Sequence, residues 1–265
     1  MQIKLATWNI NSVRLRIDQV LRFLKEESPD VLGLQEIKCE THLFPKEPFI
    51  DAGYKYIEVD GMKGYHGAAT VSKLPLKRLD TKFCPLGHSR HVSTLVSNKN
   101  LSFEFHNFYI PAGGDEPDTH INPKFAHKLQ FLDEMANYFE INKPKNSIIL
   151  GDFNIAPNEH DVWSHKQLKN VVSHTAIEIE KLSYLAKAEN WLDAHRLVTP
   201  LHEKLYSWWS YRAKDWLKSN RGRRLDHIWF TPDLKTSFLD AKIHQEYRGF
   251  EKPSDHTVIS TKFRL

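Results

Sequence analysis

The chain has 265 residues, 40% of them apolar and 26% charged, with a net charge of +4 at pH 7. That balance suits one globular domain over residues 1–265 and excludes a chain dominated by disorder. No apolar run reaches the ~18 residues of a membrane span, and the start "MQIKLATWNINSV" has no signal-peptide pattern. Cys39 and Cys84 lie far apart without metal-ligand spacing, so a cytoplasmic protein with reduced thiols and no membrane partner is expected.

The predicted elements alternate along the chain. "IKLATWN" reads as a short strand, and "RIDQVLRFLKEE" places Ile17, Val20, Leu21 and Leu24 on one helical face. After Ser28-Pro29-Asp30, "VLGLQE" is an apolar strand closed by a glutamate. "YKYIEVD" and "GAATVS" flank Gly61 and Gly64, and "HVSTLVS" and "LSFEFHNFYI" flank Asn98-Lys99-Asn100, so each pair reads as a hairpin. "FAHKLQFLDEMANYF" stacks Phe125, Leu129, Leu132, Met135 and Phe139 along a helix, and "SIIL" is a buried strand running into Gly151-Asp152. A helix is expected over 177–189, then strands at "LDHIWF", "AKIHQEY" and "HTVISTKF". Strands joined here by hairpins and there by helices predict an α/β fold: two mixed sheets packed face to face with helices outside.

Polar residues gather at the strand ends. Asn9 and Asn11 close the first strand and Glu36 the second; Asn107 and Tyr109 lie in "NFYIP", and Asp152 and Asn154 in "GDFN". Asp226 opens "LDHIWF", and Asp255-His256 stand just ahead of the last strand. Each alone has a plain explanation, since Asn and Asp stabilise turns and a tyrosine can be a half-buried core aromatic. Jointly they mark loops on a sheet scaffold, where binding groups are commonly carried. Oxygen ligands without cysteine suit a hard cation such as Mg²⁺, and histidines without HxxxH spacing disfavour zinc. The sequence has neither a GKS/T phosphate loop nor a GxSxG elbow. What remains is metal-assisted attack of water on a phosphoester.

From Arg212 to Arg224, "RAKDWLKSNRGRR" sets six Lys or Arg residues against Asp215, directly after the aromatic "YSWWSYR". Such a run is most often a solvated loop; beside aromatics it can also be a phosphate-contacting patch. Composition alone favours the loop.

Taken in order, "TWNINSVR", "LQEIK", "NFYIP", "GDFNIAP", "RGRRLDHIW" and "KPSDH" resemble the exonuclease III family of apurinic/apyrimidinic endonucleases, from residue 3 to the final strand. "LQE" and "SDH" belong to the wider superfamily of metal-dependent phosphodiesterases and phosphatases, whereas "WWSYR", "RGRRLDH" and "KPSDH" together resemble its bacterial DNA-repair members. The resemblance implies a four-layer αββα sandwich and a divalent metal, Mg²⁺ with Mn²⁺ able to substitute. It also implies cleavage 5′ to abasic sites, with 3′→5′ exonuclease and 3′-end cleaning, by a monomer acting on double-stranded DNA with abasic sites or blocked 3′ ends.

By the same resemblance, Asn9 and Glu36 hold the metal, with Asp152, Asn154, Asp255 and His256 contributing to its site. Asp152 orients or deprotonates the attacking water and Asn154 supports it; Asp226 fixes His256, which with Tyr109 meets the charge developing on phosphate. Trp208 and Leu225 line a pocket for an extruded sugar, and Arg90, Arg212 and the basic residues to Arg224 contact DNA; alternation along a strand places one of Trp208 and Trp209 in the core. Asn11 stands where some members carry an acid, and His66 is expected at the surface. Two other readings use the same scaffold. Against a phosphatase of inositol phosphates or lipids stands the basic-aromatic segment 207–224; against a non-catalytic nucleic-acid binder stand Glu36, Asp152, Asn154, Asp226 and His256, all present.

Overall fold

The computed structural model describes residues 1–81, 83, 84, 86–99 and 101–265. One six-stranded sheet contains β1 (Gln2–Asn9), β2 (Val31–Gln35), β3 (Tyr56–Asp60), β4 (Ala68–Ser72), β13 (Phe238–His244) and β14 (Val258–Arg264), in the order β13-β14-β1-β2-β4-β3. The other contains β5 (Leu76–Arg78), β6 (His91–Asn98), β7 (Leu101–Tyr109), β8 (Ser147–Asp152), β9 (Leu192–Asp193) and β12 (Asp226–Phe230), in the order β5-β6-β7-β8-β12-β9. A small ribbon pairs β10 (Trp208–Trp209) with β11 (Gly222–Arg223). Each sheet carries a parallel pair, β1 with β2 and β7 with β8. Parallel neighbours need a crossover. α1 (Ile17–Glu27) lies in the first, α2 (Lys46–Asp51) precedes β3, and α3 (Pro123–Asn142) lies in the second crossover. The last half adds α4 (His165–Leu168), α5 (Ala176–Ala188), α6 (Ala194–Val198) and α7 (Trp216–Ser219).

Two-residue alternation sorts the strand side chains into layers. Ile3 and Leu5 of β1, Val31 of β2, Ile148 and Leu150 of β8, and Ile228 and Phe230 of β12 fill the space between the sheets. The alternate residues Ala6, Trp8, Leu32 and Leu34 face outward and meet Val20, Phe23 and Leu24 of α1. On the far side Phe108, Ile149 and Trp229 meet Phe131, Leu132, Met135 and Phe139 of α3 and Leu182 and Leu185 of α5. The layers therefore run helix, sheet, sheet, helix. Burying each large aliphatic or Phe side chain contributes about 1.5–3 kcal/mol, and a one-residue slip in any central strand would turn that set outward.

The sheets approach closely beneath one edge. A Cβ added at Gly33 would lie 2.8 Å from Cδ1 of Leu150 and 3.0 Å from Cγ of Asn107. Asn107 accepts from Gln35 Nε2 at 2.6 Å and donates through Nδ2 to the carbonyls of Leu34 and Ala69 at 3.2 and 2.9 Å. Its side chain joins β7 to the opposite sheet, a structural task.

The β3–β4 and β6–β7 hairpins and the two long helices stand where the sequence places them. Asn100, in the second expected turn, lies outside the described residues. The strand expected at "AKIHQEY" ends at His244 and gives way to a 3₁₀ turn over Gln245–Gly249. That turn carries Tyr247 inward against Trp8 and Phe23, at ring distances of 5.8 and 5.4 Å.

Candidate active site

Both parallel pairs end at the same edge of the sandwich. Asn9 ends β1, Glu36 follows β2, and Tyr109 and Asp152 end β7 and β8, side by side in register. β12 and β14 run antiparallel to their neighbours, so Asp226 starts opposite Asp152 and His256 enters just ahead of β14 at that edge. Glu36 and Asn154 adopt left-handed backbone, φ 47° and 54°. For a glutamate this costs of order 1–3 kcal/mol and persists only where the surroundings enforce it.

One hydrogen-bonded chain links the set. Asn9 Nδ2 donates to Glu36 Oε1 at 3.0 Å and to Asp152 Oδ2 at 2.9 Å, and the Tyr109 hydroxyl donates to the same Glu36 oxygen at 2.9 Å. Asp152 also accepts from the Asn154 backbone at 2.9 Å and from Asn154 Nδ2 at 3.1 Å. Asn154 is braced in turn: its Nδ2 reaches the Ile110 carbonyl at 2.9 Å, and Lys128 Nζ donates to its carbonyl at 2.8 Å. Across the gap, Asp226 Oδ2 lies 2.8 Å from His256 Nδ1 and accepts from Ser207 Oγ at 2.6 Å. His256 Nε2 faces Asp152 Oδ2 at 3.7 Å.

The electrostatics follow from burial without full neutralisation. Burial alone would lower the His256 pKa, but Asp226 and Asp152 outweigh it and push it up to about 10. The ring is an imidazolium at neutral pH. Asp152 is pushed up to about 7, first by burial and then by Asp226 and Glu36, against the opposing pull of His256 and Asn9. Burial, followed by Glu36 and Asp152, holds the Tyr109 hydroxyl well above its ordinary pKa, so it stays a donor. An acid near neutrality facing a fixed cation is the arrangement general acid–base chemistry requires.

The remaining residues from the sequence divide by place. Asp255 adjoins the site: its Oδ1 accepts from Asn11 Nδ2 at 3.0 Å and its Oδ2 from Trp208 Nε1 at 2.9 Å. Trp208 is half-buried with Arg223 5.4 Å above its ring, and it packs with the buried Leu225; Trp209 is core, at 2% exposure. Arg212 is exposed and shares a cavity of about 540 Å³ with Trp163, Trp208, Arg221 and Arg223. Arg90 is buried over the Tyr109 ring, 4.8 Å from its centroid. Two expectations change. His66 is not on the surface but half-buried, stacked 4.6 Å from His88 beside Tyr109, because its loop folds back over that side. Arg224 leaves the basic patch altogether, buried between Asp161 and Asp193.

Three supporting residues escaped the sequence reading: Ser207, Lys38 and Lys128. Ser207 bonds Asp226 from inside the aromatic run. Lys128 is fully buried with Glu178 at 2.5 Å, on a helix whose apolar spacing gave no sign of it.

The donor set fits a hard cation. Lys38 Nζ sits 3.0 Å from Glu36 Oε2 and 2.6 Å from Asn11 Oδ1, so the outer face of Glu36 already holds a positive charge between oxygens. Asp152, Asp226 and His256 also place ligand atoms within 4.8 Å of one another. A protonated His256 bonded to Asp226 is a poor ligand, however, and the Glu36 side is the better cation site.

An α/β sandwich that gathers acids, an imidazolium and a tyrosine at one edge is the class of protein this fold and this site define. Residues 6–256 match the Endonuclease/Exonuclease/phosphatase family, and the chain belongs to it. It is 30% identical to exodeoxyribonuclease III of Haemophilus influenzae over 276 residues, covering 99% of this chain and 100% of that one. Its structure is similar to an AP endonuclease from Archaeoglobus fulgidus, at TM-score 0.89 and 30% identity over 99% of this chain and 100% of that chain. A 3′ phosphatase from Neisseria, bound to a product DNA hairpin, is equally similar at TM-score 0.89, with 27% identity and coverage of 99% and 100%.

Proposed function

We propose that this protein is a Mg²⁺-dependent DNA-repair phosphodiesterase, cleaving 5′ to abasic sites and trimming or cleaning 3′ ends. The observation that carries the reading is the buried opposition of Asp152 and His256 at 3.7 Å, with His256 held cationic by Asp226. Asp152, aligned by Asn9 and Asn154, accepts a proton from the attacking water. His256, fixed through Nδ1, presents its Nε2–H to the phosphate oxygens as negative charge builds, with the Tyr109 hydroxyl on the Glu36 side. Glu36 and Asn9, with Asp255 near by, would hold the metal, which supplies charge neutralisation at the phosphate when bound.

The DNA partner follows from the surface beside the site. Exposed Arg212 and Arg221 line the Trp208 cavity, and Lys214 and Lys218 of the same run are exposed, a combination suited to phosphates flanking a displaced sugar. Free Cys39 and Cys84 suit a reducing cytoplasm. Among the described residues no helix is long and apolar enough to cross a membrane. The deciding assay uses an end-labelled duplex with one abasic site beside intact and 3′-phosphate duplexes, with and without Mg²⁺. EDTA should abolish cleavage and Mg²⁺ or Mn²⁺ restore it; full activity in EDTA would refute the metal reading.

A further inference from the structure

We propose that Cys84, His88 and His127 form a second metal site, for a borderline-soft divalent ion such as zinc, that ties the loop ahead of β6 to α3. Their ligand atoms all lie within 4.8 Å of one another. Cys84 Sγ is 3.3 Å from His127 Nε2; tetrahedral zinc, with Zn–S ~2.3 Å and Zn–N ~2.0 Å, sets an S···N edge of about 3.5 Å. The pair already stands at ligand spacing.

The surroundings keep the donors in place. Cys84 has left-handed backbone, φ 85°, and its N–H donates to Glu134 Oε2 on α3 at 3.3 Å. The His88 ring stands edge-on to His127 at 5.5 Å and stacks on His66 at 4.6 Å. Among the described residues, no hydrogen bond reaches the buried Nδ1 of His88. Neutral imidazole is the form that ligates a metal. One thiolate and two imidazoles select zinc over magnesium, the reverse of the oxygen-rich Glu36 site. Binding exchanges the Cys84 S–H proton, released to solvent, for a metal–sulfur bond.

Position gives the site a task. His88 and His127 line a cavity of about 510 Å³ together with His66, Arg90 and Tyr109. Arg90 lies on the same loop and covers the Tyr109 ring at 4.8 Å. A metal joining this loop to α3 would fix the wall behind Tyr109 without touching the reacting atoms.

Cobalt reports the site independently of catalysis, because thiolate-bound Co²⁺ has an intense near-ultraviolet charge-transfer band that oxygen and imidazole donors lack. The full-length protein, stripped with chelator under reducing conditions, should develop a saturable band on titration with Co²⁺, displaced by equimolar Zn²⁺ and untouched by excess Mg²⁺. Cys84→Ser should abolish the band, and His127→Gln should weaken Co²⁺ affinity about tenfold or more. Glu36→Gln and Cys39→Ser should leave both unchanged. Circular dichroism checks each variant's fold; if Cys84→Ser misfolds, His127→Gln decides. Absence of the band in the wild type, its survival in folded Cys84→Ser, or unaltered affinity in His127→Gln overturns the site.

Discussion

Among the described residues, the acidic clusters around the buried Asp161 and Asp152 behave in opposite ways. In one, Asp161 accepts from Arg224 at 2.8 and 3.0 Å and from Arg196 at 2.5 Å, while Asp193 accepts from Arg224 at 2.7 Å. Two acids meet two guanidiniums, and despite burial those partners pull Asp161 down to about 2. In the other, Asp152 and Asp226 share one imidazolium, with Glu36 close by, and Asp152 rises to about 7. Burial of a carboxylate is thus no mark of a site. The mark is charge left unbalanced where surrounding bonds still hold the groups in place.

Breaking the unbalanced cluster should give the largest effect. His256→Asn should lower kcat per folded molecule by on the order of 10²–10⁴. Asp226→Ala should lower kcat too, because His256 loses the partner that orients and charges it. The double variant should lose little more if the pair acts as a unit, and additive losses in a double-mutant cycle would show that they act separately.

Breaking the balanced cluster should do the reverse. Arg224→Ala leaves the buried Asp161 and the half-buried Asp193 without their main partner and should cost about 3–5 kcal/mol of stability, read by denaturant unfolding. Activity per folded molecule should change little. A severe loss of kcat at intact stability would tie this network to catalysis.

Acid sharpens the same contrast. Asp161 is depressed from 3.8 to about 2, so its contribution, about 2 kcal/mol, is present above pH 4 and lost as pH falls toward 2. The stability gap between wild type and Asp161→Asn should therefore shrink over that window. Asp152 is raised from 3.8 to about 7, so its ionisation disfavours the fold as pH climbs between those values. Asp152→Asn should be at least as stable as wild type above pH 7 and lose that advantage below pH 4. A gap of constant size for either variant would contradict the assigned direction.

Much of the gathering of polar residues at one edge was legible in the sequence because strand ends put chemistry where chain direction changes. Asn9, Glu36, Asp152, Asp226 and His256 each abut an apolar run whose alternation fixes a strand, and the motif order supplied their grouping. The balanced cluster was not legible. Arg224 sits in a basic run that reads as surface, while Asp161 and Asp193 lie in short elements without periodicity, so their pairing exists only in three dimensions. His66 misled for a similar reason, its burial coming from His88 across a loop. Cys84, His88 and His127 likewise converge only once α3 packs beside their loop.

The basic run itself carries the last and smallest test. Its residues look alike in sequence, but the fold sorts them: Arg212 is exposed at the Trp208 cavity, Arg223 donates to the Val172 carbonyl at 3.0 Å and Ser173 Oγ at 2.7 Å, and Arg224 is buried. A guanidinium locked to two carboxylates releases no counterion from DNA, whereas an exposed one that meets a phosphate does. Arg212→Ala should reduce the slope of log affinity against log salt by about one on abasic and intact duplexes alike. Folded Arg224→Ala should leave that slope unchanged. The opposite pattern, with the buried arginine setting the salt dependence and the exposed one silent, would mean that DNA approaches along another face.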